Sequence, residues 1–251
     1  MQRSLFALCA TLALLIGCGA PSHATKAPTK APGAQPETVQ APSAQPAGPA
    51  VVAPEPNRDP HGNRDVGAYI STLEGDKRVI EMRPDFVVEQ LALPADAVVA
   101  DLGCGPGVFA VRFARACPKG IVYAADIEPR QLDRLREHLL AENITNVVPV
   151  LASPTTPHFP PGRCDVVFIG DTYHHLSERV EYMQRLRSVF SERGQLVIFE
   201  YKPGQLAVGP PPEHKLQAGV LESELKAAGY ELVRDFKSHE YHDFQIWKPA
   251  R

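Results

Sequence analysis

Hydrophobic and polar positions divide the chain into three unlike stretches. Residues 5–16 form an uncharged apolar run, shorter than the roughly 20 residues that a membrane-spanning helix needs. A stretch of Pro, Ala, Thr, Gln and Ser follows, with hardly any large apolar residue, to about residue 60. Beyond residue 65, short apolar runs alternate with segments whose apolar residues recur at helical spacing. The pattern therefore predicts one folded domain behind an N-terminal segment that cannot bury a core.

The third stretch predicts strands that alternate with helices. The predicted strands are 97–101, 121–126, 146–151, 165–170, 195–201, 230–235 and 243–247. The predicted helices are 67–91 with a break at Pro84, 108–116, 129–142, 177–190 and 221–228. The fourth strand is an unbroken Val-Val-Phe-Ile run, which is typical of a strand covered on both faces. We therefore predict an α/β fold, a doubly wound, mostly parallel Rossmann-like sheet with helices on both faces and an antiparallel pair of strands at its end.

The first residues have the features of an export signal. Arg3 supplies a positive charge before the apolar run, which ends in Leu15-Ile16-Gly17-Cys18. This ending resembles the bacterial lipoprotein box, whose cysteine is acylated and becomes the new N-terminus. The resemblance implies a signal peptide at 1–17, a disordered Pro/Ala-rich tether at 18–60 and a folded domain at 61–251. The domain would then be held on a membrane through lipidated Cys18, in the bacterial cell envelope and facing out of the cytoplasm.

A plain secretory signal with a chance cysteine is the alternative for this segment, and a cytoplasmic location is the alternative for the whole protein.

Composition limits the possible partners and the possible disulfides. The formal net charge is −3, so no global basic field exists and no nucleic-acid partner is expected. Beyond Cys18 the chain has three cysteines, an odd number that gives no disulfide framework. Nothing in the sequence indicates the oligomeric state.

A glycine-rich segment follows the first predicted strand of the folded domain. It reads Asp101-Leu102-Gly103-Cys104-Gly105-Pro106-Gly107, and a helix is predicted directly after it. Glycines allow a tight turn and a close approach of the backbone to a ligand. The dinucleotide pattern Gly-x-Gly-x-x-Gly would need glycine where Val108 stands. A nucleotide-dependent oxidoreductase is therefore disfavoured, although it stays an alternative.

The glycine-rich segment resembles motif I of class I S-adenosylmethionine-dependent methyltransferases. The resemblance implies S-adenosylmethionine as cofactor and a seven-stranded sheet of order 3-2-1-4-5-7-6 with an antiparallel last strand. In that family this loop wraps the methionine part of the cofactor, and the acidic residue at its head orients the ligand. The cofactor residues implied here are Asp101, Gly103, Cys104, Gly105 and Gly107.

The ends of the second and third predicted strands supply further cofactor candidates. Asp126 closes the second strand, where a carboxylate can accept both hydroxyls of a ribose; a helix-capping role ahead of Pro129 is the alternative. Ile127, the next residue, is predicted to contact the cofactor as well. After the third strand the family often has an acidic residue near adenine, but this chain departs from that pattern. Ser153 or a backbone group is predicted to serve there instead.

The end of the fourth strand resembles motif IV, the loop that faces the methyl group and the acceptor. It reads Gly170-Asp171-Thr172-Tyr173-His174-His175. Asp171 is predicted to contact both cofactor and acceptor, and a histidine with a pKa near neutrality could remove a proton from an acceptor hydroxyl or amine. His175 could instead pack against the next helix. We expect no metal, because neighbouring side chains on an extended segment point apart and no Cys or acidic residue has metal-site spacing.

Two later motifs resemble those of a bacterial subgroup of predicted, often exported methyltransferases. They are Glu200-Tyr201 after the fifth strand and Glu213-His214-Lys215 before the last helix. The candidate catalytic residues are Asp171, His174, His175 and Tyr201, with Tyr69 and His214 as further acceptor-side candidates. The predicted function is methyl transfer to a small-molecule or lipid-like acceptor. Since S-adenosylmethionine is made in the cytoplasm, a non-catalytic binding or scaffold lipoprotein on this fold is the alternative.

Overall fold

The computed structural model describes residues 65–250. The predicted signal peptide, the lipidated Cys18 and the tether lie outside the described residues. Within the described part, no helix combines the length and the apolar character that crossing a bilayer would require.

The described residues form a seven-stranded sheet with helices on both faces. The strands are β1 Val98–Leu102, β2 Ile121–Asp126, β3 Val147–Leu151, β4 Cys164–Gly170, β5 Phe190–Tyr201, β6 Tyr230–Phe236 and β7 His242–Pro249. The helices are α1 Val66–Leu73, α2 Asp76–Met82, α3 Pro84–Gln90, α4 Ala110–Ala116, α5 Pro129–Ala141, α6 Arg179–Leu186 and α7 Val220–Ala227. Short 3-10 turns lie at Tyr173–His175, Arg187–Val189 and Pro212–His214.

The strand order is β3-β2-β1-β4-β5-β7-β6, which confirms the predicted topology. Strands β1 to β5 pair in parallel, and β7 pairs antiparallel with both β5 and β6. From β1 the chain adds β2 and β3 on one side of that strand, and it then crosses over to add β4 on the other side. The order therefore reverses between β1 and β4, where ligands of such sheets bind at the carboxyl ends of the strands.

Alternate residues of the central strands supply two separate apolar layers. Val99 and Phe168 face the layer covered by α3, α4 and α5, whereas Ala100 and Ile169 face the layer covered by α6 and α7. All four of these strand residues are fully buried, as expected where helices cover both faces of a sheet. The sheet is thus a rigid base for the loops at its carboxyl edge.

The predicted helix over 67–91 consists of three shorter helices. A first break comes at Gly75, the residue that precedes α2. A second comes at Arg83, whose φ of 47° is left-handed and which stands directly before Pro84, the first residue of α3. Proline disfavours helical backbone at the preceding residue and suits the first helical turn. The prediction placed the break at Pro84 correctly but did not recognise the one at Gly75.

Strand β5 begins at Phe190, earlier than predicted, because it includes the last residue assigned to the preceding helix and the four unassigned residues that follow it. The pairing with β4 is irregular between Cys164 and Val166. Asp165 holds this irregular segment, since its carboxylate accepts hydrogen bonds from Ser191 Oγ and Arg193 Nε at 2.7 and 2.8 Å. Polar contacts of this kind leave no periodic pattern of hydrophobic residues, so the sequence pattern could not predict them.

Candidate active site

A cavity of about 370 Å³ lies at the carboxyl edge of β1, β2 and β4. The loops after these strands form its floor, and helices α1 and α2 contribute Tyr69, Leu73, Arg78 and Met82. A cavity of this size is within the range of about 300–1,000 Å³ that small-molecule sites occupy. It lies at the point where the strand order reverses, as the fold class predicts.

The glycine loop after β1 is a tight bend whose shape excludes side chains. Gly103, Gly105 and Gly107 have φ values of 74°, 53° and 98°, which are left-handed. A Cβ on Gly103 would lie 2.2 Å from Thr172 Oγ1, and one on Gly107 would lie 2.4 Å from Leu135 Cδ1. The bend is fixed by the carbonyl of Ala125, which accepts the amides of Gly103 and Cys104 at 2.8 and 3.0 Å.

Replacing Gly103 by alanine should destabilise the domain by about 2–4 kcal/mol, because a left-handed alanine would also collide with Thr172. Gly162 is the matched control. Its φ is 68°, and a Cβ there would meet nothing within 4 Å. Gly162→Ala should therefore cost only the conformational penalty of about 1 kcal/mol. Urea unfolding of both variants measures the difference, and equal losses would contradict the close contact between β1 and β4 loops.

Asp101, at the head of the loop, is a buried carboxylate with an unused oxygen. Asp101 is 2% exposed, and its Oδ2 has no hydrogen-bond partner within residues 65–250. Burial, reinforced by the charge of Asp126, raises its pKa to about 8. Gln131, on α5, likewise lines the cavity with a buried Oε1 that has no partner in the described part. Both oxygens suit a ligand that donates hydrogen bonds, as the ammonium of S-adenosylmethionine would.

Asp126 lies directly at the glycine bend. Its Oδ2 accepts the amide of Gly105 at 2.9 Å, and its Oδ1 accepts the amide of Glu128 at 2.9 Å. Burial raises the pKa of this carboxyl, while the two amides act in the opposite direction. A carboxylate has about four lone-pair sites, so two bound amides leave capacity for the hydroxyls of a ribose. The helix-capping alternative is not seen, because Glu128 is the residue whose side chain caps α5.

The remaining predicted cofactor residues differ in how they meet the cavity. Cys104 and Ile127 line it. Ser153 lines it as well, but its hydroxyl already bonds within its own turn, 3.2 Å from the Thr156 carbonyl. Gly107 does not line the cavity and instead gives room to Leu135. The loop thus contributes its backbone and its small side chains, and Gly107 shapes it from behind.

Asp171, after β4, is held in a strained conformation at the far wall of the cavity. Its φ is 48°, and its side chain is 7% exposed. Oδ2 accepts a hydrogen bond from Arg78 Nη2 at 2.8 Å, and Oδ1 lies 3.2 Å from His242 Nε2. Burial acts to raise the pKa of Asp171, but the charges of His242 and Arg78 together keep it below its usual value. Asp171 is therefore ionised at neutral pH.

The structure separates the two adjacent histidines. His175 lines the cavity, whereas His174 points to Glu200, with Nδ1 2.7 Å from Oε1 of that buried carboxyl. Their ring centroids are 3.7 Å apart. Burial acts to lower the pKa of His174, but the hydrogen bond and charge of Glu200 raise it above its usual value. His174 thus lies behind His175 rather than beside a ligand.

The other acceptor-side candidates are divided in the same way. Tyr69 lines the cavity. Tyr201 does not; its ring centroid lies 4.1 Å from that of buried His242, and burial raises its pKa to about 12. His214 is exposed on a short 3-10 turn and is not among the lining residues. Within the described part, no group of three or more His, Cys, Asp or Glu side chains has the arrangement of a metal site.

The sequence interpretation missed several polar residues of the cavity, and Arg78 and Gln131 are the two with the clearest roles. Arg78 lies on α2 and reaches Asp171 across 93 positions of the chain. Gln131 lies one turn into α5, behind the glycine loop. Each is a single polar residue on an otherwise ordinary amphipathic helix, so no motif or spacing marks it. Only the packing of the helices against the sheet shows that both point into the cavity.

Comparison with known proteins agrees with this geometry. Residues 99–194 match the family model of a methyltransferase domain. The trans-aconitate 2-methyltransferase of Rhodopseudomonas palustris (strain BisB18) is 28% identical over 113 residues, which cover 45% of this chain and 41% of that protein. The matched part of the chain therefore spans about two fifths of the length of this curated relative.

Solved structures extend the likeness over most of the described part. A SAM-dependent methyltransferase from Aquifex aeolicus has a TM-score of 0.69 at 23% identity, covering 73% of this chain and 98% of that one. An O-methyltransferase family protein from Burkholderia thailandensis has a TM-score of 0.58 at 17% identity, covering 73% and 59%. The cyclase SpnF has a TM-score of 0.57 at 16% identity, covering 68% and 82%. Such identities show the fold alone.

Sheet order, glycine bend and family match together support a class I SAM-dependent methyltransferase domain. Within that class the chain is similar to the curated trans-aconitate enzyme over its central part only. The comparisons do not support assignment to an exported or lipoprotein subgroup.

Proposed function

We propose that this chain binds S-adenosylmethionine and transfers its methyl group to a small-molecule or lipid-like acceptor. One observation carries the proposal. The glycine bend and the carboxylate at the end of β2 line the same cavity, joined by the 2.9 Å hydrogen bond from the Gly105 amide to Asp126. The methyltransferase family match covers both features.

Most residues of the cavity would bind and orient the two reactants. When bound, S-adenosylmethionine supplies a methyl group whose bond to sulfur breaks, leaving the electron pair on sulfur, as a lone pair of the acceptor bonds to the carbon. Asp101 and Gln131 are placed to receive the ammonium end, and Asp126 the ribose. Arg78 and Asp171 form the opposite wall. Correct placement of two reactants can contribute about 7–11 kcal/mol to lowering the barrier.

An acceptor that loses a proton needs a base near the cavity. His175 is the histidine that lines it, and His174 with Glu200 forms a hydrogen-bonded pair behind its ring. A correctly placed general base contributes about 10²–10⁴-fold to the rate. We therefore assign the proton-accepting role to His175 in preference to His174 or Tyr201.

A non-catalytic role on this fold is the second candidate function, favoured by the predicted export signal. Fold does not determine function. The envelope location and the lipidated Cys18 stay predictions, as does a membrane partner.

Calorimetry of the full-length chain with S-adenosylhomocysteine tests binding, and transfer of labelled methyl from S-adenosylmethionine to an acceptor panel tests catalysis. We expect saturable binding at one site. A folded protein that binds neither compound would contradict the proposal. Binding without transfer to any acceptor would favour the non-catalytic role.

A further inference from the structure

Glu200, in β5, is a buried carboxylate that does not line the cavity. It is 2% exposed and is the second-to-last residue of its strand. Within residues 65–250 its ion-pair partner is the ring of His174, and no Lys or Arg pairs with it. A buried charge without a partner is costly, so a buried carboxylate needs a group that compensates it. The contact with His174 is therefore what stabilises Glu200 in the core.

Glu200 holds His174 by its ring and by its backbone. Oε1 lies 2.7 Å from the ring Nδ1 of His174, the length of a charge-assisted hydrogen bond. Oε2 accepts the backbone amide of His174 at 3.4 Å, and Oε1 also accepts the amide of Tyr201 at 3.3 Å. Because an ionised carboxylate offers acceptor atoms only, these contacts place a proton on Nδ1 and fix the orientation of the ring.

The charges around His174 favour a second proton on its ring. Glu200 from β5 and Asp171 from the end of β4 attract that proton, and Arg179, the first residue of α6, opposes them. Burial acts to lower the pKa of His174, but the hydrogen bond and the charge of Glu200 raise it above its ordinary value. His174 therefore keeps a positive charge to higher pH than a free histidine does.

The ring of His175 lies against this charge. The two ring centroids are 3.7 Å apart, and the ring planes are tilted by 56°. Like charges at such a distance repel each other, so a proton on His174 disfavours a proton on His175. Of the other charged groups that line the cavity, Arg78 acts in the same direction, and four carboxylates oppose it: Asp101, Asp126, Glu128 and Asp171. The charge on His174 thus counteracts the acidic surroundings and favours the unprotonated form of His175.

We propose that Glu200 is a positioning residue, which holds a protonated His174 against His175 and thereby keeps the ring of His175 free to accept a proton from the methyl acceptor. In that step the proton of an O–H or N–H group moves to His175, and the electron pair of the broken bond stays on the acceptor atom. Glu200 itself touches neither reactant. This inference rests on the proposed function and adds the group that prepares its base.

Glu200→Gln tests the inference on the full-length chain. The amide keeps the size of the side chain and removes its charge, so His174 should lose its proton more easily. NMR follows the titration of each ring through its Cε1–H signal, assigned with His174→Gln and His175→Gln. In Glu200→Gln the titration midpoint of His174 should fall, and that of His175 should rise by about one pH unit. The acid limb of the pH profile of methyl transfer should move upward with His175, and the affinity for S-adenosylhomocysteine should be unchanged.

Tyr173→Phe is the matched control. Tyr173 precedes His174 in the same 3-10 turn, is fully buried, and donates a hydrogen bond to Glu224 Oε2 at 3.0 Å. Loss of its hydroxyl loosens the turn without changing a charge beside His174, so both titrations should match those of the parent. If Glu200→Gln fails to fold, His174→Gln takes its place, since it removes the charge directly and should raise the midpoint of His175 as well.

The outcomes separate the two proposals. Failure of the parent chain to bind S-adenosylhomocysteine defeats the proposed function. If that compound binds, but the midpoint of His175 is unchanged or lower in folded Glu200→Gln or His174→Gln protein, the inference alone is overturned. An equal rise in Tyr173→Phe also overturns it, because loosening of the turn would then account for the shift.

Discussion

Asp126→Ala should bind S-adenosylhomocysteine about a hundredfold more weakly than the parent chain, because two hydrogen bonds to a charged acceptor would be lost, worth about 3 kcal/mol together. Part of the effect is direct, through the ribose hydroxyls. The rest comes from the amides of Gly105 and Glu128, which Asp126 accepts at 2.9 Å and which fix the bend. Isothermal titration calorimetry measures the change.

Two control variants interpret this result. Asp126→Asn keeps one acceptor oxygen and should lose only part of the affinity. Asp133→Ala removes an exposed carboxylate from α5 and should lose none. Equal binding by the parent and by a folded Asp126→Ala protein would place the cofactor elsewhere.

We expect the affinity for S-adenosylhomocysteine to rise with pH between about 6 and 8. Burial and the charge of Asp126 raise the pKa of Asp101 to about 8, so this carboxyl is mostly protonated in the ligand-free protein at neutral pH. An ammonium placed against it favours the ionised form, and binding therefore releases a proton. One released proton corresponds to roughly a tenfold gain in affinity per pH unit below the pKa. Calorimetry in two buffers of different ionisation enthalpy counts that proton.

The free energy of unfolding of the ligand-free protein should fall as the pH rises, whereas the affinity should increase. The pKa of Asp101 in the folded state lies above the ordinary aspartate value of 3.8, so the folded protein retains a proton that the unfolded chain releases. The resulting stabilisation is complete below about pH 4 and is lost as the pH rises through about 8. Asp101→Asn should remove both pH dependences and weaken binding. A parent protein whose affinity is flat from pH 6 to 8 would contradict the raised pKa.

The fold could be predicted from the sequence because its signals are local. The alternation that buries Val99 and Phe168 on one face and Ala100 and Ile169 on the other is carried by the strands themselves. The resemblance to motif I supplied the strand order, which the structure confirms. Residues such as Gly75 and Asp165 act through turn geometry and polar anchoring, and their effects on element boundaries were therefore missed.

The wall of the cavity formed by Asp101, the glycine loop and Asp126 was also predictable, since these residues lie at strand ends or directly after them. The opposite wall was not. Arg78 faces Asp171 because α2 folds back over the sheet, and no spacing along the chain encodes that contact. The roles of His174 and His175 diverge because a 3-10 turn directs one ring to Glu200 and leaves the other at the cavity.

The ion pair between Arg78 and Asp171 joins the first helices of the domain to its fourth strand. Helices α1 and α2 are short and contain one buried residue each, Val66 and Met82, so local unfolding should detach them at a lower free energy than the sheet requires. A molecule bound in the cavity contacts both sides of this junction and makes them cooperative. Departure of a tightly bound product would then wait on fraying of these two helices, which makes product release a candidate for the slowest step of turnover.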